Sequence, residues 1–302
     1  MVFFDQTSHD YRQGVAMNPG AKVVVMIPTL NEERCIGDVI DGIPTQQMRA
    51  MGFEVEIIVV DGHSSDRTVE IAKLKGARVY TQNGNGKGSG MRQIFMLRNP
   101  QEVVIKTLSL KSAIDSDLGA LSVLLDSKYV VMLDGDGTYP SGHIADLVTA
   151  LEDGYDVVLG SRFKGRIEDG SMSRLNVFGN IVLSNIATML YVKPVTDLCT
   201  GMWGFNTEAL RNMQLDSTHF DLEAEMFAES AKNRMRIGEV PIDYLTRHGE
   251  SKLIPMEAGF MILRKLFQRR FATARRIRTK VTSEKESSST TSLAQQWVKG
   301  YE

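Results

Sequence analysis

Cysteine is scarce in this chain, and neither sign of charge is in large excess. The only cysteines are Cys35 and Cys199, too few for a disulfide framework, and no paired Cys and His spacing indicates a zinc site. The 302 residues carry a net charge of −2, which excludes a globally basic nucleic-acid-binding protein. We therefore predict an intracellular protein without a nucleic-acid partner.

Long apolar runs and an apolar leader are also absent. The first residues, MVFFD, do not join a charged stretch to an apolar one, so no signal peptide is predicted. No run reaches the roughly 18 apolar residues of a membrane-spanning helix. The nearest segment, 177–192, carries Asn180, Ser184 and Thr188 at four-residue spacing, typical of one face of an amphipathic helix. The sequence thus predicts a protein that is soluble or lies on a membrane but does not cross one.

What the chain does have is a globular composition and a regular alternation of strands and helices. Apolar residues make up 42% and charged residues 24% of it, which suits one large α/β domain or two small ones. Strands are predicted at residues 22–27, 56–60, 78–80, 129–133 and 156–159, with one more within 236–244. A helix is predicted to begin near Asn31 or Glu32. This rhythm predicts an α/β fold with a mainly parallel sheet and helices on both faces.

The predicted strands end in residues that suit a ligand site. Ligands of such sheets bind beyond the carboxyl ends of the strands, and these ends carry Pro28, Asp61, Asp134, Asp136 and Arg162. Two carboxylates one residue apart repel each other unless a cation lies between them, and a divalent ion meets that need. Asp134 and Asp136 are therefore candidate metal ligands that would hold a diphosphate. A solvated acidic turn is the alternative.

Cationic residues follow several of these strands. Arg162 and Arg174 flank a polar loop, and Arg247 and Lys252 follow the last predicted strand. Clustered cations at a cleft bind anions, although a single surface arginine is more often solvated. The run GNGKGSG around Lys87 matches neither a Walker A sequence nor a dinucleotide fingerprint. We interpret it as a solvated turn, with a phosphate contact as the alternative.

An ordered series of motifs places these residues in a family. The motifs are IPTLNE at 27–32, VVDGHSSDRT at 59–68, LDGDGTYP at 133–140, GSRF at 160–163, TDLCTG at 196–201, GEVPI at 238–242 and GESKL at 249–253. In this order they resemble the inverting family 2 glycosyltransferases of the GT-A fold, and within them the dolichyl-phosphate mannose synthases and related polyprenyl-phosphate glycosyltransferases. The resemblance covers residues 22–255 and implies a Rossmann-like GT-A domain there.

The resemblance also implies roles for single residues. Nucleotide-sugar contacts are implied for Pro28, Leu30, Glu32, Val60, Asp61, Asp134, Gly135, Asp136, Arg162, Arg247 and Lys252. Within this set Asp134 and Asp136 would hold Mg²⁺ or Mn²⁺. Arg162 and Arg174 are the implied contacts of the acceptor phosphate. The candidate catalytic residues are Asp136, Arg162 and Asp197.

Three features depart from the family pattern. Gly62 stands where relatives commonly have a second Asp that contacts the base or ribose, which leaves open whether the nucleotide is UDP or GDP. Thr138 replaces a side chain that helps to ligate the metal in some relatives. Residues 99–126 lengthen the connection before the strand that precedes Asp134, and the sequence assigns them no function.

The chemistry of the acceptor divides the functional hypotheses. A phosphate monoester loses its second proton at a pH of about 6, so it needs cations rather than a general base. The arginines therefore favour transfer of a hexosyl unit from a nucleotide sugar to a polyprenyl or dolichyl phosphate, with inversion. For a soluble hydroxyl acceptor, Asp197 would be the leading general base. The third hypothesis is a non-catalytic sugar-nucleotide-binding subunit that recruits a membrane partner.

Four segments are predicted along the chain: an N-terminal extension (1–21), the glycosyltransferase domain (22–255), a basic amphipathic helix (256–282) and a disordered Ser/Thr-rich tail (283–302). Residues 259–280 include eight Lys or Arg and no acid, which predicts a helix on an anionic membrane surface. A helix packed on the domain with a solvated charged face is the alternative. We accordingly expect a cytoplasmic protein, peripheral on a membrane, with a membrane protein or a second copy as a further partner.

Overall fold

The computed structural model describes residues 20–95, 126–247, 249 and 255–271. The predicted tail lies outside these ranges, as do nearly all of the N-terminal extension and of the 99–126 connection. The predicted boundaries of the four segments therefore stay predictions.

A seven-stranded sheet organises the described residues. Its strands are β1 (Ala21–Thr29), β2 (Phe53–Asp61), β3 (Arg78–Thr81), β4 (Ser127–Met132), β5 (Val157–Ser161), β6 (Trp203–Asn206) and β7 (Ile237–Pro241). They lie in the order β3-β2-β1-β4-β6-β5-β7. Strand β6 is antiparallel to both of its neighbours, and every other pair is parallel. The predicted mainly parallel sheet is confirmed, and β6 is a strand that the sequence pattern did not predict.

Helices cover both faces of this sheet, as predicted. They are α1 (Ile36–Asp41), α2 (Thr45–Ala50), α3 (Thr68–Leu74), α4 (Lys87–Phe95), α5 (Ile144–Glu152), α6 (Arg174–Tyr191), α7 (Thr207–Arg211), α8 (Leu222–Lys232) and α9 (Pro255–Phe271). Because side chains alternate along a strand, β1 supplies two cores. Val24 and Met26 pack with residues of α4, α6, α8 and α9. Val23 and Val25 pack with residues of α1, α3 and α5 on the other face.

The crevice for a ligand lies where the order of the strands in the sheet reverses. Strand β1 has β2 on one side and β4 on the other, both parallel to it, which makes its carboxyl end a topological switch point. Gly135, in the turn after β4, packs onto this end of β1. A Cβ on Gly135 would lie 2.6 Å from Cγ2 of Thr29, so only glycine permits the approach.

The first helix begins later than predicted. It starts at Ile36 rather than near Asn31 or Glu32, because Asn31 adopts a left-handed conformation with φ of 53°. The N–H of Asn31 donates to Oγ of Ser64 at 2.9 Å, and its side-chain oxygen accepts the N–H of Ser65 at 2.8 Å. The loops after β1 and β2 are thus joined into one unit at the edge of the crevice.

Helix α9 packs on the domain through both apolar and charged residues. Ile262 and Leu266 are buried in the core, and Nζ of Lys265 lies 2.6 Å from Oδ1 of Asp216. None of the helices in the described part of the chain has the length and apolar composition needed to cross a membrane.

Candidate active site

Asp61 shapes the turn that follows β2. Its buried carboxylate accepts the N–H groups of His63 at 3.1 Å and Ser64 at 3.2 Å. The N–H of Gly62 donates to the carbonyl of Thr29 at 2.8 Å, and a Cβ on Gly62 would lie only 3.1 Å from that oxygen. A side chain at this position would make a tight contact with the end of β1, which Gly62 avoids.

The other predicted nucleoside contacts are distributed around this turn. Pro28 is paired with Val60 in the register of β1 and β2. The side chain of Val60 is buried in the core between the sheet and α4, so it faces away from the loops. Leu30 is exposed in the loop after β1. In the same loop the N–H of Glu32 donates to Oγ1 of Thr68 at 2.8 Å.

Lys87 neutralises Asp134. Its Nζ lies 2.6 Å from Oδ1 of Asp134 and 2.6 Å from Oε1 of Glu223. Burial by itself lowers the pKa of Lys87, but the two carboxylates outweigh it and raise that pKa well above its usual value. Burial raises the pKa of Glu223, and Lys87 opposes that rise. The ammonium is therefore charged at neutral pH, and the interpretation of this segment as a solvated turn is wrong for Lys87.

The glycines on either side of Lys87 explain how it reaches this position. Gly86 has φ of 92°, and a Cβ there would overlap the carbonyl oxygen of Thr218. A Cβ on Gly88 would lie 2.9 Å from the backbone nitrogen of His219. The glycine-rich run thus packs against the backbone of another loop and points Lys87 inward.

Asp136 is held by a neighbouring hydroxyl and by an arginine. Its Oδ1 accepts the N–H of Thr138 at 3.0 Å and the Thr138 hydroxyl at 2.6 Å. Its Oδ2 contacts a terminal nitrogen of Arg247. Thr138 therefore orients the carboxylate of Asp136. Lys252 lies outside the described residues.

Arg162 and Asp197 form a buried ion pair. The Nε and a terminal nitrogen of Arg162 each donate to Asp197 at 2.7 Å, and the Arg162 backbone N–H donates at 3.0 Å. The Arg162 guanidinium lies 5.1 Å from the ring centre of Tyr244. Burial disfavours the charged form of Arg162, but Tyr139 and then Asp197 overcome this and raise its pKa well above the usual value. Both oxygens of Asp197 are thus bound to one cation.

The loop that carries Asp197 also contacts Asp134. The N–H of Gly201 donates to the hydroxyl of Tyr139 at 2.7 Å. A Cβ on Gly201 would overlap Oδ2 of Asp134. Because of this close approach, the positions of Asp134 and Asp197 depend on the same loop.

The site is a set of buried or half-buried carboxylates, each with its own cation. The pairs are Asp134 with Lys87, Asp136 with Arg247, and Asp197 with Arg162. Arg174 is exposed at the first position of α6. Such a site suits a polyanionic ligand, because arriving phosphate oxygens can take over the contacts that Asp134 and Asp136 make with Lys87 and Arg247.

Sequence reasoning missed three residues of this arrangement: Glu223, Tyr139 and Tyr244. None of the three carried a local signal. Their neighbour Lys87 did carry one, since glycines on both sides of a lysine indicate a close approach of two backbone segments. Glu223 lies 136 positions from Lys87, and no local pattern connects them.

Comparisons with known proteins identify the family. The family model described as glycosyl transferase family 2 matches residues 24–97 and 124–213, which is more than half of the chain. The chain belongs to glycosyl transferase family 2. It is thus a glycosyltransferase, and the predicted family is confirmed.

Two curated relatives of this glycosyltransferase come from Haloferax volcanii. A dolichyl-phosphate hexose transferase is 33% identical over 240 residues, which span 80% of this chain and 90% of the relative. Glycosyltransferase AglJ is 32% identical over 249 residues, which span 82% of this chain and 71% of the relative.

A solved structure shares the fold. Glucosyl-3-phosphoglycerate synthase from Mycobacterium tuberculosis, in complex with Mn²⁺, UDP-glucose and phosphoglyceric acid, superposes with a TM-score of 0.58 at 18% identity. The match covers 83% of this chain and 80% of that one. The predicted GT-A fold is confirmed.

Proposed function

We propose that this glycosyltransferase moves a hexosyl unit from a UDP- or GDP-linked sugar to a polyprenyl or dolichyl phosphate, with inversion. The observation that carries the proposal is the Arg162–Asp197 pair. A hydroxyl acceptor needs a general base, and both oxygens of the leading candidate, Asp197, are bound to Arg162. A phosphate acceptor needs only cations. The similarity to a dolichyl-phosphate hexose transferase supports the same class of acceptor.

The donor diphosphate is assigned to the carboxylates after β4 with a divalent cation, Mg²⁺ or Mn²⁺. Their oxygen donors fit such a hard ion. The absence of a Cβ at Gly201 leaves room for the carboxylate of Asp134, and Thr138 fixes that of Asp136. In the described part of the chain no three His, Cys, Asp or Glu residues converge as a metal site, so diphosphate oxygens would complete the coordination. When bound, the ion would neutralise charge on the departing diphosphate.

The acceptor phosphate is assigned to Arg162, with Arg174 on the same side. A dianionic phosphate is already nucleophilic, so the task of the protein is to hold its oxygen in line with the anomeric carbon. Arg162 is suited to this because Asp197 fixes its guanidinium plane through two bonds of 2.7 Å. Tyr244 supports the same plane from its face.

A lipid acceptor places the enzyme at a membrane. We propose a peripheral position on its cytoplasmic face, with a membrane protein or a second copy as a further partner. The described helices supply no membrane span, so association would depend on surface-bound elements.

The test is a product assay. Purified full-length protein is incubated with labelled UDP-glucose, UDP-N-acetylglucosamine or GDP-mannose, a polyprenyl phosphate, and Mg²⁺ or Mn²⁺. We expect labelled lipid from one donor, lost when a chelator is added and in Asp136→Asn. An exposed acid serves as the control, and Asp146→Asn should retain full activity. No lipid-linked product from any donor would refute the proposal.

A further inference from the structure

Helix α6 exposes a stripe of apolar residues. Leu175, Phe178, Ile181, Val182 and Met189 are all exposed, with Phe178 at 66% and Met189 at 79%. Spacings of three, four and seven residues place them on one stripe of the helix. Single exposed apolar residues are ordinary on protein surfaces, whereas a continuous stripe marks an interaction surface.

The opposite face of α6 carries polar as well as apolar residues and is bound into the protein. Ser184 is buried, and its Oγ accepts the N–H of Leu198 at 2.9 Å. Oγ1 of Thr188 accepts the N–H of Val195 at 3.1 Å. These bonds hold the loop that carries Asp197. The same side carries Ala187, which is buried in the core, so α6 is apolar on two sides and its outer stripe is surplus to what the domain core needs.

Helix α9 also leaves apolar residues exposed while a charged residue is buried. Lys265 is buried and lies 2.6 Å from Oδ1 of Asp216 and 3.2 Å from Oδ2 of Asp221. Met256 and Phe260, in contrast, are exposed. Lys265 thus fastens α9 to the domain together with the core residues Ile262 and Leu266, and the side chains of Met256 and Phe260 are left uncovered by the described residues.

The two helices touch near their carboxyl-terminal ends. The hydroxyl of Tyr191, at the end of α6, donates to the carbonyl of Leu266 in α9 at 2.8 Å. Nε of Arg270 in α9 donates to the carbonyl of Leu190 in α6 at 2.8 Å. The outward stripes therefore belong to two neighbouring helices of one compact unit. We call this the α6–α9 surface; its apolar residues are Leu175, Phe178, Ile181, Val182, Met189, Met256 and Phe260.

The charges around this surface are basic. Helix α6 contains no Asp or Glu, begins with Arg174, and is followed by Lys193. Helix α9 exposes Arg264. Glu257 is the exception on α9. A basic rim complements anionic lipid headgroups, whereas a second copy would bring a rim of like charge.

We propose that the α6–α9 surface inserts into the headgroup and upper acyl region of an anionic lipid bilayer. The choice of a bilayer as occupant rests on the proposed lipid-phosphate acceptor. Insertion of α6 would bring the membrane next to the loop that carries Asp197, and through Asp197 next to Arg162. The enzyme would then meet its acceptor phosphate at the height of the lipid headgroups.

The test measures binding to vesicles without donor or acceptor. Full-length protein is sedimented with vesicles of phosphatidylcholine and phosphatidylglycerol, and with vesicles of phosphatidylcholine alone. We expect stronger binding to the anionic vesicles, and a partition constant about tenfold lower for Phe178→Glu. Leu74→Glu is the matched control, because Leu74 is 76% exposed at the end of α3 on the other face of the sheet. It should bind as the unaltered protein does.

A second readout detects insertion directly. Tryptophan placed by Phe178→Trp should be quenched by brominated acyl chains, and tryptophan placed by Leu74→Trp should not, after subtraction of the signal of Trp203 and Trp297. Equal vesicle binding by Phe178→Glu and the unaltered protein would overturn the inference. A dimer in vesicle-free solution that Phe178→Glu converts to a monomer, without vesicle binding, would overturn it in favour of a second copy.

Failure of this inference can be told apart from failure of the proposed function. Product formation with a short, water-soluble polyprenyl phosphate tests the function without any membrane. Vesicle binding tests the α6–α9 surface without any catalysis. Loss of one result leaves the other standing.

Discussion

Replacement of Asp197 by asparagine tests how the guanidinium of Arg162 is held. The change removes one negative charge from a carboxylate that is fully buried and accepts three hydrogen bonds from Arg162. Arg162 keeps its charge because a guanidinium does not titrate, and at 5% exposure it has little access to water. Removal of one partner from a buried ion pair costs about 3–5 kcal/mol. We expect Asp197→Asn to lower the free energy of unfolding in urea by that amount.

The kinetic consequences separate a positioning residue from a general base. If Asp197 positions Arg162, the variant should raise KM for the polyprenyl phosphate, and its pH–rate profile should keep its shape. A general base would instead lower kcat and remove the acidic limb of that profile. Loss of kcat together with a free energy of unfolding within about 0.5 kcal/mol of the unaltered protein would refute the reasoning.

Two controls accompany this measurement. The double variant Arg162→Gln with Asp197→Asn leaves no unpaired charge, so we expect it to be more stable than Asp197→Asn alone. Asp146→Asn removes a carboxylate whose side chain is 58% exposed and should change stability by less than about 0.5 kcal/mol. A double variant no more stable than Asp197→Asn would mean that the unpaired arginine is not the cause of the loss.

Three further outcomes follow from single contacts. Gly201→Ala should displace the flexible carboxylate of Asp134 and reduce kcat at least tenfold with little loss of stability, whereas Gly142→Ala, which has open space for a Cβ, should leave kcat unchanged. Val192→Gly should raise the free energy of unfolding by about 1 kcal/mol, because Val192 ends α6 in a left-handed conformation with φ of 53°. Burial raises the pKa of Tyr191 to about 12, above its unfolded value of about 10. The contribution of the neutral Tyr191 to stability is therefore complete below a pH of about 10 and is lost as pH rises towards 12. The melting temperature of Tyr191→Phe should accordingly fall less steeply over this pH range than that of the unaltered protein.

The sequence predicts most of the crevice because its parts are local. Each parallel strand is an apolar run that ends in a polar residue, as at Asp61 and Asp134. Parallel strands share one carboxyl edge, so these ends had to meet. The switch point itself depends on β1 lying between β2 and β4, an order that no local pattern contains.

Strand β6 escaped prediction for the same reason. It has four residues, Trp203–Asn206, and includes Gly204, which is unfavourable in a strand. A Cβ on Gly204 would lie 3.2 Å from Leu151 of α5, so the glycine allows close packing between sheet and helix. That requirement is visible only when α5 is in place.

Lys87 shows a further limit of local patterns. The glycines around it indicate a turn whether that turn is solvated or packed. The turn is packed rather than solvated because the backbone of Thr218 and His219 lies against Gly86 and Gly88. Glu223 and Asp134 then give Lys87 its charge partners. A contact of this range depends on tertiary structure, and the sequence offers only the residue types.

The most informative of these differences is which face of α6 meets the domain. The spacing of Asn180, Ser184 and Thr188 establishes that the helix has two faces, but periodicity does not tell which face meets the protein. The hydrogen bonds of Ser184 and Thr188 answer this, since they bind the loop of Asp197. A buried polar face is stable when its groups are bonded, but an apolar stripe in water gains nothing. The stripe that contains Phe178 therefore carries information about the surroundings of the enzyme, and an environment other than water accounts for it best.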